Sequence, residues 1–373
     1  MDYPIELHYH VLGLTAGIPE PVWEDDVPQR LRDVLSAPRP TSPGDPGPEG
    51  TGCGEGTTVA ILDTGYTQHP YLEESVEPDS PIGQSDYDGW DISGHDMPAY
   101  VGHGTFVAGR VRQEAPAAGI LYRKITDRNG VSNDWTLATA IFDLIPKTEG
   151  APGPDVLNLS LGPGEHELPR GWPRSLAPRT RFAISALQEA CGTVVVIAAG
   201  PPSERSSDSL LARHGEERTV FVGAVNRSGD APAEFSAHDC FVDLFASGQD
   251  VLSTFVYWNG AIRFDECCPA CDSSLHMSRH RPNNRDSEPP LMAGTGWARW
   301  SGTSFAAPAV AGAIAREISG LEGGQCTTIQ DRRLKALNNI KNQCIMYPDP
   351  TDPTGEGQLK VLPETPQWLV VPR

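Results

Sequence analysis

The sequence predicts an α/β fold, a three-layer sandwich with a mostly parallel central sheet and helices on both faces. Three observations predict it. Short continuous apolar runs recur at Thr58 to Leu62, Val156 to Leu159, Thr193 to Ala198 and Val220 to Gly223, as expected of strands buried on both faces. Helical candidates lie between them at Gly104–Val111, Trp135–Ile145 and Arg181–Ala190. Strand–helix alternation at this spacing is the pattern of a parallel sheet with covering helices.

The elements follow in order. Residues 4–12 predict one short strand, and Val27 to Leu35 a short helix with Leu31, Val34 and Leu35 on one side. Residues 37–56 are rich in Pro and Gly with hardly an apolar side chain, which is linker chemistry. Residues 1–56 are therefore read as an extension and linker, and 57–345 as the main domain. Residues 257–300, polar and containing Cys and His, read as an insertion loop within it. The Pro-rich tail 346–373 carries two apolar stretches, 360–362 and 368–371, expected to pair as strands.

Composition narrows the function classes. The 373 residues carry 29 Lys+Arg against 49 Asp+Glu, a net charge of −20. That balance opposes a nucleic-acid role, because phosphate binding needs a basic footprint. It fits a carboxylate-rich surface, with long-range attraction for basic substrates as the sharper alternative. No apolar run is long enough for a spanning helix, and the first residues lack the basic and apolar regions of a signal peptide. These features predict a cytoplasmic protein with no membrane or nucleic-acid partner, whose eight cysteines are thiols or ligands rather than bridges. Oligomeric state is not legible.

Three motifs carry chemistry. The first is an apolar strand ending in Asp63-Thr64-Gly65, a carboxylate where parallel sheets place their chemistry; alone it reads equally as a turn Asp before Gly. The second is Gly102-His103-Gly104-Thr105-Phe106-Val107-Ala108-Gly109, a histidine bracketed by glycines at a helix start. The third is Gly302-Thr303-Ser304-Phe305-Ala306-Ala307-Pro308, a serine opening a helix of small residues; alone it reads as a helix cap.

Together and in this order the motifs resemble the subtilisin-like (subtilase) peptidase family, from about Thr57 to about Leu321. Val156 to Gly162, Val194 to Gly200, Val222 to Asn226 and Val242 to Gly248 resemble further family segments. The resemblance implies a subtilisin-like sandwich and a serine endopeptidase acting on peptide or protein substrates without a cofactor. Asp63, His103 and Ser304 would form its triad. Ser160, Leu161 and Gly162 would pair with an extended substrate, and the loop containing Gly130 and Val131 would flank its other side. His103 would take the Ser304 proton and Asp63 would hold the imidazole.

The sequence departs from the family in places. Family members follow Ala-Ala-Gly with an Asn that completes the oxyanion hole; here the run is Ala198-Ala199-Gly200-Pro201-Pro202-Ser203. Pro201 offers neither a side-chain donor nor an N–H, which raises the alternative of a weakly active or inactive module that binds peptides or protein partners. Ser203 and Arg205 are candidate replacement donors, whereas Asn158 is expected to lie too deep. The short stretch from Gln113 to Gly119 predicts that a calcium loop found in secreted relatives is missing. The 62 residues before Asp63 are expected to leave no room for the folding prodomain of secreted relatives. Finally, Cys268, Cys271, His276 and His280 form C-x2-C-x4-H-x3-H, a set able to hold tetrahedral zinc. A single CxxC in a loop with few apolar residues is a weak signal, with a local disulfide or free thiols as competitors, so no metal is assigned.

Overall fold

A computed structural model describes residues 8–10, 15–36, 53–67, 69–72, 96–98, 100–126, 130–148, 151–163, 178–202, 217–238, 241–265, 292–321, 326, 328–348 and 358–363. In chain order the elements are β1 (His8–His10), β2 (Thr15–Pro21), α1 (Gln29–Ser36), β3 (Thr58–Asp63), β4 (Asp96–Pro98), α2 (His103–Glu114), β5 (Gly119–Lys124) and β6 (Val131–Asn133). There follow α3 (Asp134–Phe142), β7 (Val156–Leu159), β8 (Gly162–Pro163), α4 (Pro178–Cys191), β9 (Val194–Ala198), β10 (Thr219–Val225) and β11 (Leu244–Ser247). The last are β12 (Val251–Asp265), β13 (Met292–Gly302), α5 (Thr303–Gly320), α6 (Ile329–Gln343), β14 (Ile345–Pro348) and β15 (Gln358–Val361).

An eight-stranded sheet runs β14-β15-β11-β10-β9-β7-β3-β5, with every pairing parallel except β14 with β15. Alternate residues of its central strands face opposite layers. Val59 and Ile61 pack with Phe106, Val107, Val310 and Ile314 of α2 and α5. Ala60 and Leu62 pack with Leu137, Ile141, Ile184 and Leu187 of α3 and α4. Each of the larger apolar side chains stabilises the fold by about 1.5–3 kcal/mol through burial, which is why these runs carry no polar alternation.

Helix α5 enters this core almost whole, with every residue from Thr303 to Ala315 buried. Small side chains permit it: a Cβ at Gly312 would lie 2.6 Å from the Val111 carbonyl oxygen of α2. The four apolar runs that predicted β3, β7, β9 and β10 and the three helical candidates are all present, as is α1 with Leu31, Val34 and Leu35 buried.

Several expectations change. Within 257–300, residues 257–265 and 292–300 are not loop but the arms of a hairpin, β12 pairing antiparallel with β13. Gly260, Gly294 and Gly296 interrupt the alternation that would have marked these strands, and the ladder shifts register twice. Cys268, Cys271, His276 and His280 lie outside the described residues. In the tail, β15 pairs with β14; residues 368–371 also lie outside the described residues. Of residues 4–12, the described part that is strand is His8–His10.

The N-terminal residues dock on the body. Strand β2 pairs antiparallel with β13. Val27, Leu31 and Leu35 pack on Leu252 and Trp297 of the hairpin. Beside them His69 is 1% exposed. Its Nδ1 accepts the Tyr71 N–H at 3.2 Å, so Nε2 carries the proton and donates to the Gly296 carbonyl at 2.8 Å. Burial lowers the His69 pKa from 6.5 to about 4. A folded-state pKa below the unfolded one gives stability that is present above pH 6.5 and lost as pH falls toward 4, here about 3 kcal/mol. Urea unfolding at pH 7 and pH 4 is expected to show that loss shrinking by this amount in His69→Gln; an unchanged loss would assign the acid sensitivity elsewhere.

Candidate active site

The carboxyl ends of β3, β7 and β9 converge on the amino end of α5. Asp63, the last residue of β3, accepts two hydrogen bonds on Oδ1, from the Thr64 N–H and from His103 Nδ1, each at 2.7 Å. The turn after it is pinned to α2. The Gly104 N–H donates to Thr64 Oγ1 at 3.1 Å, the Thr67 N–H to Thr105 Oγ1 at 3.0 Å, and the Gly65 N–H to the Tyr122 hydroxyl at 3.3 Å. Glycine is required at 104, since a Cβ there would lie 2.3 Å from the Gly65 carbonyl oxygen. Gly102 precedes the helix in the left-handed region at φ 81°, which a side chain rarely tolerates.

His103 is held on its other sides by aromatic rings. Its centroid lies 5.8 Å from Trp300, edge to face, and 5.3 Å from Phe305, the neighbour of Ser304. Bonded to Asp63 through Nδ1, the imidazole leaves Nε2 buried with no hydrogen-bond partner. Ser304 sits in the first turn of α5, and its hydroxyl donates to the Ser160 carbonyl at 3.2 Å. The carboxylate–imidazole link is thus formed, while the serine hydroxyl is turned toward Ser160. Asp63, His103 and Ser304 are all 0% exposed.

Pro308 explains a second contact. In a helix its N–H would bond the carbonyl four residues back, that of Ser304, and proline has no N–H to give. The Ser160 hydroxyl takes the place of that donor, bonding the Ser304 carbonyl at 2.8 Å, and Asn158 Nδ2 donates to Ser160 Oγ at 2.9 Å. Asn158 is therefore committed behind the serine, in line with its expected depth. Ser160→Ala leaves a buried carbonyl unpaired and is expected to lower stability by about 1–3 kcal/mol, read from urea unfolding; a value near zero would show that Ser304 finds another donor.

Beside Ser304 the chain turns after β9, where the Gly200 N–H donates to Thr303 Oγ1 at 3.1 Å and Pro201 follows. Gly162 and Val131, two of the expected substrate-pairing residues, lie on strands β8 and β6, which flank β1 in a three-stranded antiparallel sheet. Gly130 precedes β6 at φ 70°. Ser203 and Arg205 lie outside the described residues. Sequence reasoning assigned no role to Thr64, Tyr122 or Trp300, whose parts here arise from contacts between distant segments.

A family model described as the subtilase family matches residues 54–344. The chain belongs to the subtilase family. Among curated relatives, this subtilase is 32% identical to the thermophilic serine proteinase of Bacillus sp. (strain AK1) over 211 residues, 53% of this chain and 45% of that protein. It is 26% identical to the intracellular serine protease of Paenibacillus polymyxa over 278 residues, 70% of this chain and 66% of that one. The chain thus spans from about half to just under two thirds of these relatives' lengths. Among solved structures, a cold adapted subtilisin-like serine proteinase matches with a TM-score of 0.53 at 20% identity, covering 88% of this chain and 96% of that chain. Fervidolysin from Fervidobacterium pennivorans matches at 0.52 and 23% identity, covering 79% of this chain and 39% of that one. These likenesses carry the fold: a subtilisin-like α/β sandwich around a mostly parallel sheet.

Proposed function

We propose that this subtilase is a serine endopeptidase using Asp63, His103 and Ser304. The observation that carries the reading is the 2.7 Å bond from His103 Nδ1 to Asp63, which leaves Nε2 unbonded on a ring that packs against Phe305, the neighbour of Ser304. A serine hydroxyl is a weak nucleophile until a base takes its proton. Rotation of the Ser304 hydroxyl away from the Ser160 carbonyl toward Nε2 supplies that step, and bonds of this kind tighten when substrate binds. Ser304 attacks the scissile carbonyl, His103 passes the proton to the leaving amine, and water releases the acyl group. The imidazolium formed on the way is stabilised by Asp63. The amino end of α5 and the Ser304 N–H face the developing oxyanion. Ser160, Leu161 and Gly162 on one side and Gly130 and Val131 on the other bind the substrate as an added strand.

The substrates are peptides or proteins in extended form. The chemistry needs no cofactor, and the acidic surface opposes nucleic-acid partners. Among the described residues no helix is long and apolar enough to cross a membrane, and the cytoplasmic location proposed here rests on likeness to a relative named an intracellular serine protease. The experiment is covalent labelling of the full chain by a fluorophosphonate, with the modified peptide identified by mass spectrometry. Labelling at Ser304 is the expected result; labelling at another serine, or none, would remove the reading. Pro201 favours a second reading, a module that binds extended peptides with little turnover. Peptide binding without labelling or cleavage would select it.

A further inference from the structure

Asp63 ends a strand of the sheet and His103 opens a helix laid across it, so their 2.7 Å bond depends on how high α2 starts above the sheet. Two ties join the turn after Asp63 to α2 itself: Thr64 Oγ1 accepts the Gly104 N–H, and Thr105 Oγ1 accepts the Thr67 N–H. They hold turn and helix to each other. Neither reaches the neighbouring strand.

Tyr122 of β5 does. It pairs with Ile61 of β3, and both side chains enter the core layer that holds α2, where Tyr122 is 3% exposed. Its hydroxyl accepts the Gly65 N–H at 3.3 Å. Gly65 is buried with φ 128°, and a buried N–H left without an acceptor is costly. The same hydroxyl meets α2, because a Cβ at Gly104 would lie only 1.8 Å from it. Turn and helix therefore both close on one oxygen atom. The bond to Gly65 opposes separation of the turn from β5, and contact with Gly104 opposes closer approach of α2 to the sheet. Phenylalanine at 122 would fill the same core space and leave out both contacts.

We propose that Tyr122 is a positioning residue for the base, a spacer whose hydroxyl sets the reach of His103 Nδ1 to Asp63. The proposal rests on the triad reading and deepens it. The segments assigned to substrate follow β7 and open β6, whereas Tyr122 sits inside β5. Its loss therefore falls on the chemical step and spares substrate binding. Misplacing a catalytic group by 1 Å costs about 10²-fold in rate, so a smaller slip of the imidazole costs about tenfold.

The test is Tyr122→Phe in the full chain. Its kcat for a fluorogenic peptide is expected to fall about tenfold with KM unchanged. In protein carrying isotope-labelled histidine, the proton of the His103 Nδ1–H bond to Asp63 is the magnetic-resonance signal that His103→Ala removes. That signal is expected to move upfield in Tyr122→Phe, because a longer hydrogen bond deshields its proton less. Ile120→Val trims a buried side chain near the far end of the same strand and separates positioning from stability. Both variants are expected to melt earlier, while kcat and the proton signal hold in Ile120→Val. An unmoved signal in folded Tyr122→Phe overturns the proposal, as does an equal change in Ile120→Val or a loss confined to KM. A Tyr122→Phe chain that does not fold also overturns it, since the hydroxyl would then serve the fold and not the base. If the signal moves but no chain cleaves peptide or takes up a fluorophosphonate, the hydrolase reading fails and the spacer stands.

Discussion

Ser304→Ala is expected to abolish fluorophosphonate labelling and to lower peptide turnover by about a million-fold, with His103→Ala close to it. The two losses should not add. In the proposed mechanism the hydroxyl and the imidazole act as one unit, and removing either leaves only binding and oxyanion stabilisation, which together sustain a small residue of rate. Asp63→Asn is expected to be milder, because it keeps the geometry while presenting His103 Nδ1 with the wrong hydrogen-bond partner. The check is single-turnover hydrolysis of a fluorogenic peptide by the single variants and the Ser304→Ala/His103→Ala pair. Additive losses would show that the two residues do not serve one proton transfer. Peptide affinity in Ser304→Ala should be nearly unchanged, since the hydroxyl contributes to the transition state and not to holding the ground state.

Pro201→Asn is expected to raise kcat by about 10² to 10³, the loss that follows removal of a single oxyanion donor. The turn that carries residue 201 is tied by the Gly200 N–H to Thr303, the residue before the proposed nucleophile, so an amide side chain at 201 starts from a turn bonded beside Ser304. The gain should lie in kcat with KM little altered, since the added donor meets charge that develops only during attack. Pro201→Ala separates two effects, because it restores the backbone N–H without a side chain. A gain in Pro201→Asn but not in Pro201→Ala assigns the deficit to the side chain. No gain in either would mean that another group already fills the position, and the Pro201 account of weak catalysis would be withdrawn.

The legible parts of the fold share one property: their signal is local. β3, β7 and β9 are buried on both faces, so their apolar runs stand out without partners. α5 announced itself by its small residues and by Ser304 at its start. The hairpin of β12 and β13 did not, because its glycines and register shifts break the alternation. β1, β6 and β8 span three, three and two residues, too short for any period to emerge, and what makes them strands is pairing between segments far apart in sequence. The same holds within the site. Asp63, His103 and Ser304 were recognisable from their motifs. The edge of Trp300 against His103, and the hydroxyl of Ser160 beneath Ser304, arise from contacts across more than a hundred residues of sequence.

One feature of α5 reaches beyond the chemistry at its tip. Because every residue from Thr303 to Ala315 is buried, this stretch of the helix has no solvent face from which to fray, and its amides are expected to exchange with deuterium only when the surrounding body opens. Ser304, the proposed nucleophile, thus hangs from a fully buried stretch of helix. Warming therefore leaves the reacting geometry intact until the entire sandwich melts, and activity ends at that transition instead of fading ahead of it.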